Sequence, residues 1–172
     1  MKFFFIFAFF LSILLHASQT PLSDKGCEYL NKKDYVNAKK MFEKAAENGE
    51  AIAFNNLGLM YINGDGTKQN YTMAMLYFQK AFKKGYIKAA YDIGAMYKNG
   101  EGVQINIQEA KKYYLIAAKD GYSLAQFELA KIYGYERNSQ QFKYWGILAL
   151  KNGYRPRTQT DQQIINYLYS LK

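Results

Sequence analysis

The fold of this chain is decided by two matching stretches, AFNNLGLMYINGDG at residues 53–66 and AAYDIGAMYKNGEG at residues 89–102. Adding 36 to a residue number pairs eleven positions of a repeated series, from Ala53 with Ala89 to Gly85 with Gly121. Nine of the eleven are identical, and the other two pair Leu57 with Ile93 and Phe78 with Tyr114. The nine identical positions of this series are alanines, tyrosines and glycines: Ala53, Gly58, Tyr61, Gly64, Gly66, Ala74, Tyr77, Ala81 and Gly85. A period of this length is typical of proteins that stack one supersecondary unit many times.

Each repeated unit has the pattern of two antiparallel helices. Ala89, Ile93, Gly94 and Tyr97 are spaced so that they share one helical face. A glycine-rich segment ends each first helix, and an asparagine (Asn70, and Asn106 with Glu109) is placed to cap the second. The glycines predicted to end the second helices are Gly49, Gly85, Gly121 and Gly153. No stretch alternates as a strand would.

The period continues in both directions, with changes at the ends. Residues 27–49 form a divergent earlier unit, and the last unit is four residues shorter because Gly121 and Gly153 are separated by 32. That shortening removes the glycine loop between Tyr133 and Trp145, so we expect a different local geometry there. The predicted units span about 22–50, 51–86, 87–122 and 123–154.

Both ends of the array have the pattern of caps, which cover terminal apolar faces in stacked repeats. At the front, helices over 24–31 and 35–48 are joined at 32–34. Within 155–172, Pro156 ends the preceding helix and Thr160 with Gln163 predicts a capping box. One apolar stripe follows: Ile164, Ile165, Leu168 and Leu171. We expect this helix to pack on the helix that carries Trp145, the alternative being a helix at a membrane surface.

The whole pattern resembles the Sel1-like repeat, a relative of the tetratricopeptide repeat. The resemblance rests on Ala-x-x-x-Leu-Gly-x-x-Tyr-x-x-Gly-x-Gly followed by Ala-x-x-Tyr-Phe/Tyr-x-x-Ala and Gly, and it covers residues 51–154 well. It implies an all-α protein, a right-handed α-solenoid of helix hairpins with a C-terminal capping helix, and suggests an exported bacterial member of the family.

The first 18 residues have the pattern of a secretory signal peptide. Lys2 precedes an apolar run at residues 3–15 that is broken only by Ser12, and small residues follow at Ala17 and Ser18. The run is shorter than the roughly 20 apolar residues that a membrane-spanning helix needs. We therefore expect a periplasmic or secreted protein with no stable membrane span after cleavage, the alternative being an uncleaved N-terminal anchor.

The residue counts leave little for catalysis. His16 is the only histidine and lies in the predicted signal peptide, and Cys27 is the only cysteine. A Cys/His zinc site, a histidine-assisted nucleophile and an intramolecular disulfide are therefore excluded for the exported chain. We expect no catalytic residue, no metal and no cofactor. Cys27 is predicted to be a small buried residue or, alternatively, to form an intermolecular disulfide.

The charge of the chain is compatible with acidic partners. The formal net charge is +9, or +8 once Lys2 is removed with the signal peptide. The lysines occur in helix-spaced pairs, which is also the pattern of a solvated surface. No nucleic-acid-binding motif is present, so nucleic acid is not an expected partner.

The resemblance implies that the first helices line a concave binding face. The positions expected there, two before and two after each Leu-Gly pair or one turn later, are Asn55, Leu59, Asn63, Tyr91, Lys98, Asn99, Phe127 and Lys131. Asparagine can bond a peptide backbone, the aromatic rings offer flat apolar area, and the lysines attract carboxylates. The alternatives are that the rings belong to the core between repeats and that the lysines are merely solvated.

These features favour an exported scaffold that binds a protein or peptide through its concave face. The resemblance to cysteine-rich exported relatives also implies binding of a peptidoglycan (cell-wall) fragment or a β-lactam, or weak β-lactam hydrolysis. This chain lacks their paired cysteines and has no Ser-x-x-Lys, so a serine β-lactamase site is absent. An immunity or inhibitor protein and a factor that handles host proteins are the remaining alternatives.

Overall fold

A computed structural model describes residues 21–171 of the chain, which form nine α-helices and no strand. The first five helices are α1 (Leu22–Asn31), α2 (Tyr35–Glu47), α3 (Ala51–Asn63), α4 (Tyr71–Lys83) and α5 (Ala89–Asn99). The last four are α6 (Ile107–Lys119), α7 (Ser123–Tyr135), α8 (Ser139–Lys151) and α9 (Gln159–Ser170). None of these helices is long and apolar enough to cross a membrane. The predicted signal peptide lies outside the described residues.

The helices are arranged as a row of stacked hairpins. Helices α1 and α2, α3 and α4, α5 and α6, and α7 and α8 pack as pairs, and each second helix also packs on the first helix of the following pair. The capping helix α9 packs on α8. The predicted all-α solenoid of helix hairpins with a C-terminal capping helix is therefore confirmed.

Glycines inside the first helices bring the two helices of a hairpin close together. A Cβ atom on Gly58 would lie 2.5 Å from the Phe78 ring, and one on Gly94 would lie 2.8 Å from the Tyr114 ring. Gly26 meets Phe42 in the same way. The divergent first unit therefore keeps the glycine–ring contact that joins the two helices of the later hairpins. The rings pack directly on helix backbone because no side chain stands between them.

The predicted helix ends are confirmed where the repeat is regular. Gly64 and Gly100 end α3 and α5 in the left-handed conformation, with φ of 78° and 75°. Asn70 accepts a hydrogen bond from the backbone N–H of Met73 at 3.0 Å, and Asn106 caps α6 in the same way.

The first and fourth hairpins have shorter turns. Lys33 and Arg137 adopt positive φ angles of 58° and 55° there, although neither is a glycine. In both turns the next residue donates its backbone N–H to a carbonyl five residues earlier, Asp34 to Tyr29 and Asn138 to Tyr133. The two end hairpins therefore close by the same compact turn, which replaces the glycine loop.

The C-terminal helix packs as expected but begins earlier than predicted. Leu168 lies against Gly146 of α8, where a Cβ atom would be 2.5 Å from the leucine side chain. The predicted capping box on Thr160 and Gln163 is wrong, because α9 begins at Gln159 and Thr158 accepts a hydrogen bond from the Asp161 N–H at 3.1 Å. Thr160 lies within the first turn, where its side chain cannot serve as the cap.

Candidate functional site

Residues that follow the second helices cover part of the face predicted to bind. Tyr122 meets Tyr91 edge to face at 5.2 Å between ring centroids, and Tyr154 stacks on Phe127 at 4.0 Å. At the front of the array, the Glu50 carboxylate accepts hydrogen bonds from the N–H and the hydroxyl of Ser23. The three contacts repeat along the array, because Ser23, Tyr91 and Phe127 occupy equivalent positions.

Two of the predicted binding residues are buried. Phe127 is only 1% exposed beneath Tyr154, and Asn55 is 5% exposed. Phe127 therefore lies in the core between repeats, which corrects the expected surface placement. Oδ1 of Asn55 is buried and has no hydrogen-bond partner among the described residues. Neither side chain offers surface to a ligand.

The amide of Asn55 is paired with an acidic residue on the next first helix. Burial raises the pKa of Asp92 to about 6, and the hydrogen bond with Asn55 opposes that rise. The nearby thiol of Cys27 accepts a weak hydrogen bond from Asn56, with nitrogen and sulfur 3.8 Å apart. Burial is also the main reason that the pKa of Cys27 is raised. A raised pKa disfavours the reactive thiolate.

Three other predicted residues point to solvent away from this cluster. Leu59 is 38% exposed. Asn63 and Asn99 are exposed, and each donates to the acidic residue two positions later in its own loop, Asp65 and Glu101, at 3.1 Å. These asparagines bond within their own loops.

The remaining predicted residues, Tyr91, Lys98 and Lys131, come together around a residue that the sequence reasoning missed. Glu128 on α7 pairs with Nζ of Lys98 at 2.9 Å and with Nζ of Lys131 at 2.6 Å. Its negative charge adds to burial in raising the pKa of Tyr91 to about 12. Glu128 is 36 residues after Asp92 and so could have been recognised as an acidic position repeated along the array.

The segment before α9 closes the end of this cluster. The Tyr154 hydroxyl donates to Oδ2 of Asp161 at 2.8 Å, and the Arg157 backbone N–H donates to the same oxygen at 3.1 Å. Burial raises the pKa of Asp161, but these hydrogen bonds and the Lys131 charge outweigh it, so the pKa lies below its usual value. Asp161 therefore remains ionised at neutral pH.

Arg157 supplies a cationic group without an ion-pair partner. Among residues 21–171, no carboxylate oxygen lies within 4.0 Å of its guanidinium, by contrast with the paired Lys98 and Lys131. Its charge acts against the raised pKa of Tyr91, Tyr122 and Tyr154. The guanidinium is exposed and is therefore available to an anionic ligand group.

Two adjoining clefts lie over these residues. The first, of about 430 Å³, is lined by Ile107, Ile132 and Lys98 and is called the apolar cleft below. The second, of about 310 Å³, is lined by residues that include Tyr91, Tyr154, Arg157 and Thr158 and is called the polar cleft. They share three lining residues, Glu128, Lys131 and Tyr135. Together the two clefts form one groove along α5, α7 and the start of α9.

The groove combines charged, hydrogen-bonding and apolar side chains. No group of three or more His, Cys, Asp or Glu side chains within residues 21–171 is placed to hold a metal ion. Ion pairs and hydrogen bonds hold the side chains of Lys98, Glu128, Lys131 and Asp161, which lie beside exposed apolar area. Such an arrangement recognises a flexible ligand through several contacts at once.

The chain belongs to the Sel1 repeat family, whose model matches residues 28–50, 51–86, 87–122 and 123–154. A Sel1 repeat protein from Oxalobacter formigenes is 26% identical, with a TM-score of 0.73 over 88% of this chain and 72% of that one. A protective antigen of uropathogenic Escherichia coli with an SLR fold is 29% identical, with a TM-score of 0.76 over 87% of this chain and 33% of that one. The chain thus spans about a third of the antigen's length. No protein of curated function matches the sequence.

Proposed function

We propose that this Sel1 repeat protein is a scaffold that binds an extended segment of a partner protein in the groove formed by the apolar and polar clefts. Sel1 repeats generally mediate protein–protein interactions, which supports the class of ligand. The observation that carries the proposal is the convergence of Tyr91, Lys131 and Arg157 on adjoining clefts that share one wall.

Each group in the groove has a role that follows from its chemistry. Tyr91 and Tyr135 present aromatic area, and an aromatic side chain brings large contact area at a small cost in conformational entropy. Lys131, whose charge is paired with Glu128, lines both clefts with its aliphatic chain. Arg157 attracts carboxylates, and its planar guanidinium can bond one in bidentate fashion. The Thr158 and Tyr154 side chains are placed at the same end of the groove. A peptide is therefore held by apolar contact and oriented by charge.

A displayed library of random dodecapeptides, selected on the purified protein, tests this function. The affinities of selected peptides are then measured by fluorescence anisotropy for the wild type and for Tyr91→Ala and Lys131→Ala variants. We expect each variant to weaken binding about tenfold or more, the size typical of a central contact. Val36→Ala is the matched control, because Val36 on α2 is 73% exposed. Equal affinities for all four proteins would refute the proposal.

We also propose that the chain acts outside the cytoplasm, because residues 3–15 have the length and apolar character of a signal-peptide core. Expression of the full chain in a bacterial host, followed by fractionation and mass spectrometry of the product, tests this. We expect an extracytoplasmic product that begins after Ala17 or Ser18. A full-length cytoplasmic product would contradict the proposal.

A further inference from the structure

The glycine loop of each regular unit covers the start of the second helix in the preceding unit. A Cβ atom on Gly66 would lie 2.8 Å from Cβ of Tyr35, and one on Gly102 would lie 2.6 Å from Cβ of Tyr71. Tyr35 and Tyr71 are the first residues of α2 and α4, and they are 36 residues apart. The loop backbone therefore fills the space beside each of these helix starts.

The next position in this series is Ile107, the first residue of α6, and it has no such cover. The loop that would reach it belongs to the fourth unit, which is four residues shorter. Helix α7 ends at Tyr135, the position equivalent to Asn63 and Asn99, but no glycine loop follows it. Tyr135 is 87% exposed, and Ile107 is left 41% exposed. An ion pair between Lys111 and Glu136, at 2.6 Å, is the polar contact that spans this junction. The shortening thus opens the apolar cleft.

The charges around the apolar cleft are already neutralised. Glu128 pairs with Lys98 and Lys131, Oδ1 of Asp161 lies 3.9 Å from Nζ of Lys131, and Glu136 pairs with Lys111, so three carboxylates balance three lysines. A ligand group that enters the cleft therefore meets apolar side chains and paired ions, and a charged group would gain no free counter-ion there. The adjoining polar cleft differs, because it is lined by Arg157, whose guanidinium has no carboxylate oxygen of residues 21–171 within 4.0 Å.

From this complementarity we propose that the apolar cleft is the pocket that selects the partner: it takes one large aliphatic or aromatic side chain of an extended peptide. A carboxylate nearby on the same peptide bonds to Arg157 in the polar cleft. This inference rests on the proposed function and adds the chemistry of the ligand. The four-residue deletion in the fourth unit is then a specificity feature of this chain, since regular units close the same space with their loops.

The equivalent positions in the earlier repeats suggest a substitution that fills the pocket. Ile107→Tyr places at this position the residue that its two equivalents, Tyr35 and Tyr71, already carry, so α6 should form as before. A second variant replaces residues 134–137 with a copy of residues 98–105 and so restores the 36-residue spacing. Val36→Tyr, on an exposed part of α2, is the control for adding a tyrosine to the surface.

The probes are the peptides selected from the dodecapeptide library on the wild-type protein. We expect them to share a large apolar residue and an Asp or Glu, and to bind both filled variants about tenfold or more weakly, with no change for Val36→Tyr. Replacing the apolar residue of the peptide by alanine should weaken its binding to the wild type by a similar factor. The same replacement should change its binding to the Ile107→Tyr variant little. The Arg157→Gln substitution should weaken binding of the acidic peptide. It should leave unchanged the affinity of the same peptide in which Asn or Gln replaces the Asp or Glu.

The possible outcomes distinguish a failure of this inference from a failure of the proposed function. If peptides lose affinity for Tyr91→Ala and Lys131→Ala but bind Ile107→Tyr as tightly as wild type, the pocket is overturned and the groove function stands. Selected peptides without a shared large apolar residue overturn the pocket as well. If no peptide binds the wild-type protein, both proposals are overturned.

Discussion

The ring of Tyr154 stacks on the ring of Phe127, with centroids 4.0 Å apart and planes 15° from parallel, while its hydroxyl bonds to the carboxylate of Asp161. One side chain thus joins the first helix of the last hairpin to the capping helix α9. Tyr154 is 4% exposed and Asp161 is 5% exposed. The attachment of α9 to the repeats therefore includes a buried hydrogen bond to a carboxylate, in addition to the contact of Leu168 with Gly146.

Removing only the hydroxyl tests that attachment. Tyr154→Phe keeps the stacked ring but leaves the buried Asp161 carboxylate without one of its donors, so we expect a loss of about 1.5–3 kcal/mol in the free energy of unfolding. Urea unfolding followed by circular dichroism measures the change. Tyr144→Phe is the control, because Tyr144 is 56% exposed. An unchanged midpoint for Tyr154→Phe would contradict this account.

The same substitution should have the opposite effect at Tyr114. This side chain is fully buried, and its hydroxyl has no hydrogen-bond partner among the described residues. The equivalent residues are Phe42 and Phe78, which make the same contact with a helix glycine. We expect Tyr114→Phe to stabilise the fold by about 1 kcal/mol, because it removes an unsatisfied polar atom. Phe78→Tyr is the reverse control and should destabilise, and a less stable Tyr114→Phe protein would refute the argument.

Asp92 should make stability depend on pH between about 4 and 6. Its pKa is raised to about 6 in the folded protein from a value of 3.8, so the folded state binds the proton more tightly than the unfolded state does. The cost of the buried charge is present above pH 6 and disappears as the pH falls below 4.

The variant Asp92→Asn isolates this effect. At pH 7 we expect it to be more stable than the wild type by about 1–3 kcal/mol, and the difference should vanish near pH 4. Thermal unfolding of both proteins across this range measures it. A difference that stays constant with pH would show that the charge of Asp92 is not its cause.

Two glycines with similar backbone angles should differ in what they tolerate. Gly102 has a φ of 70° and a Cβ atom there would lie 2.6 Å from Cβ of Tyr71, whereas Gly121 has a φ of 88° and open space around it. Gly121→Ala should cost about 1–2 kcal/mol for the left-handed backbone alone. Gly102→Ala should cost that amount and about 1–3 kcal/mol more for the steric overlap. Chemical denaturation compares the two, and equal losses would mean that the loop does not press on Tyr71.

The sequence was sufficient to predict the hairpins because their packing is repeated. Each regular unit places small residues, tyrosines and terminal glycines at fixed offsets, so one interpretation applies along the array. The helix start at Gln159 was harder to predict, because Thr158 and Thr160 are both possible caps. The tertiary bonds of Asp161 to Tyr154 and Arg157 favour the earlier residue.

The candidate site was predictable only in part, because some of its features depend on contacts between units that are distant in the sequence. Tyr91, Lys98 and Lys131 follow from helix positions alone. Phe127 is buried by Tyr154, a residue 27 positions later, so its burial depends on how the last hairpin closes. The opening beside Ile107 depends on a deletion in the following unit, so its consequence appears only when the two units are stacked.

Helix α9 lies on the face of α8 that a further hairpin would need, with Leu168 seated on Gly146. In a row of interchangeable units, each exposed end is a template to which another copy can add. Here the chain's own helix covers that surface of α8, so a further hairpin could dock there only after α9 moved away.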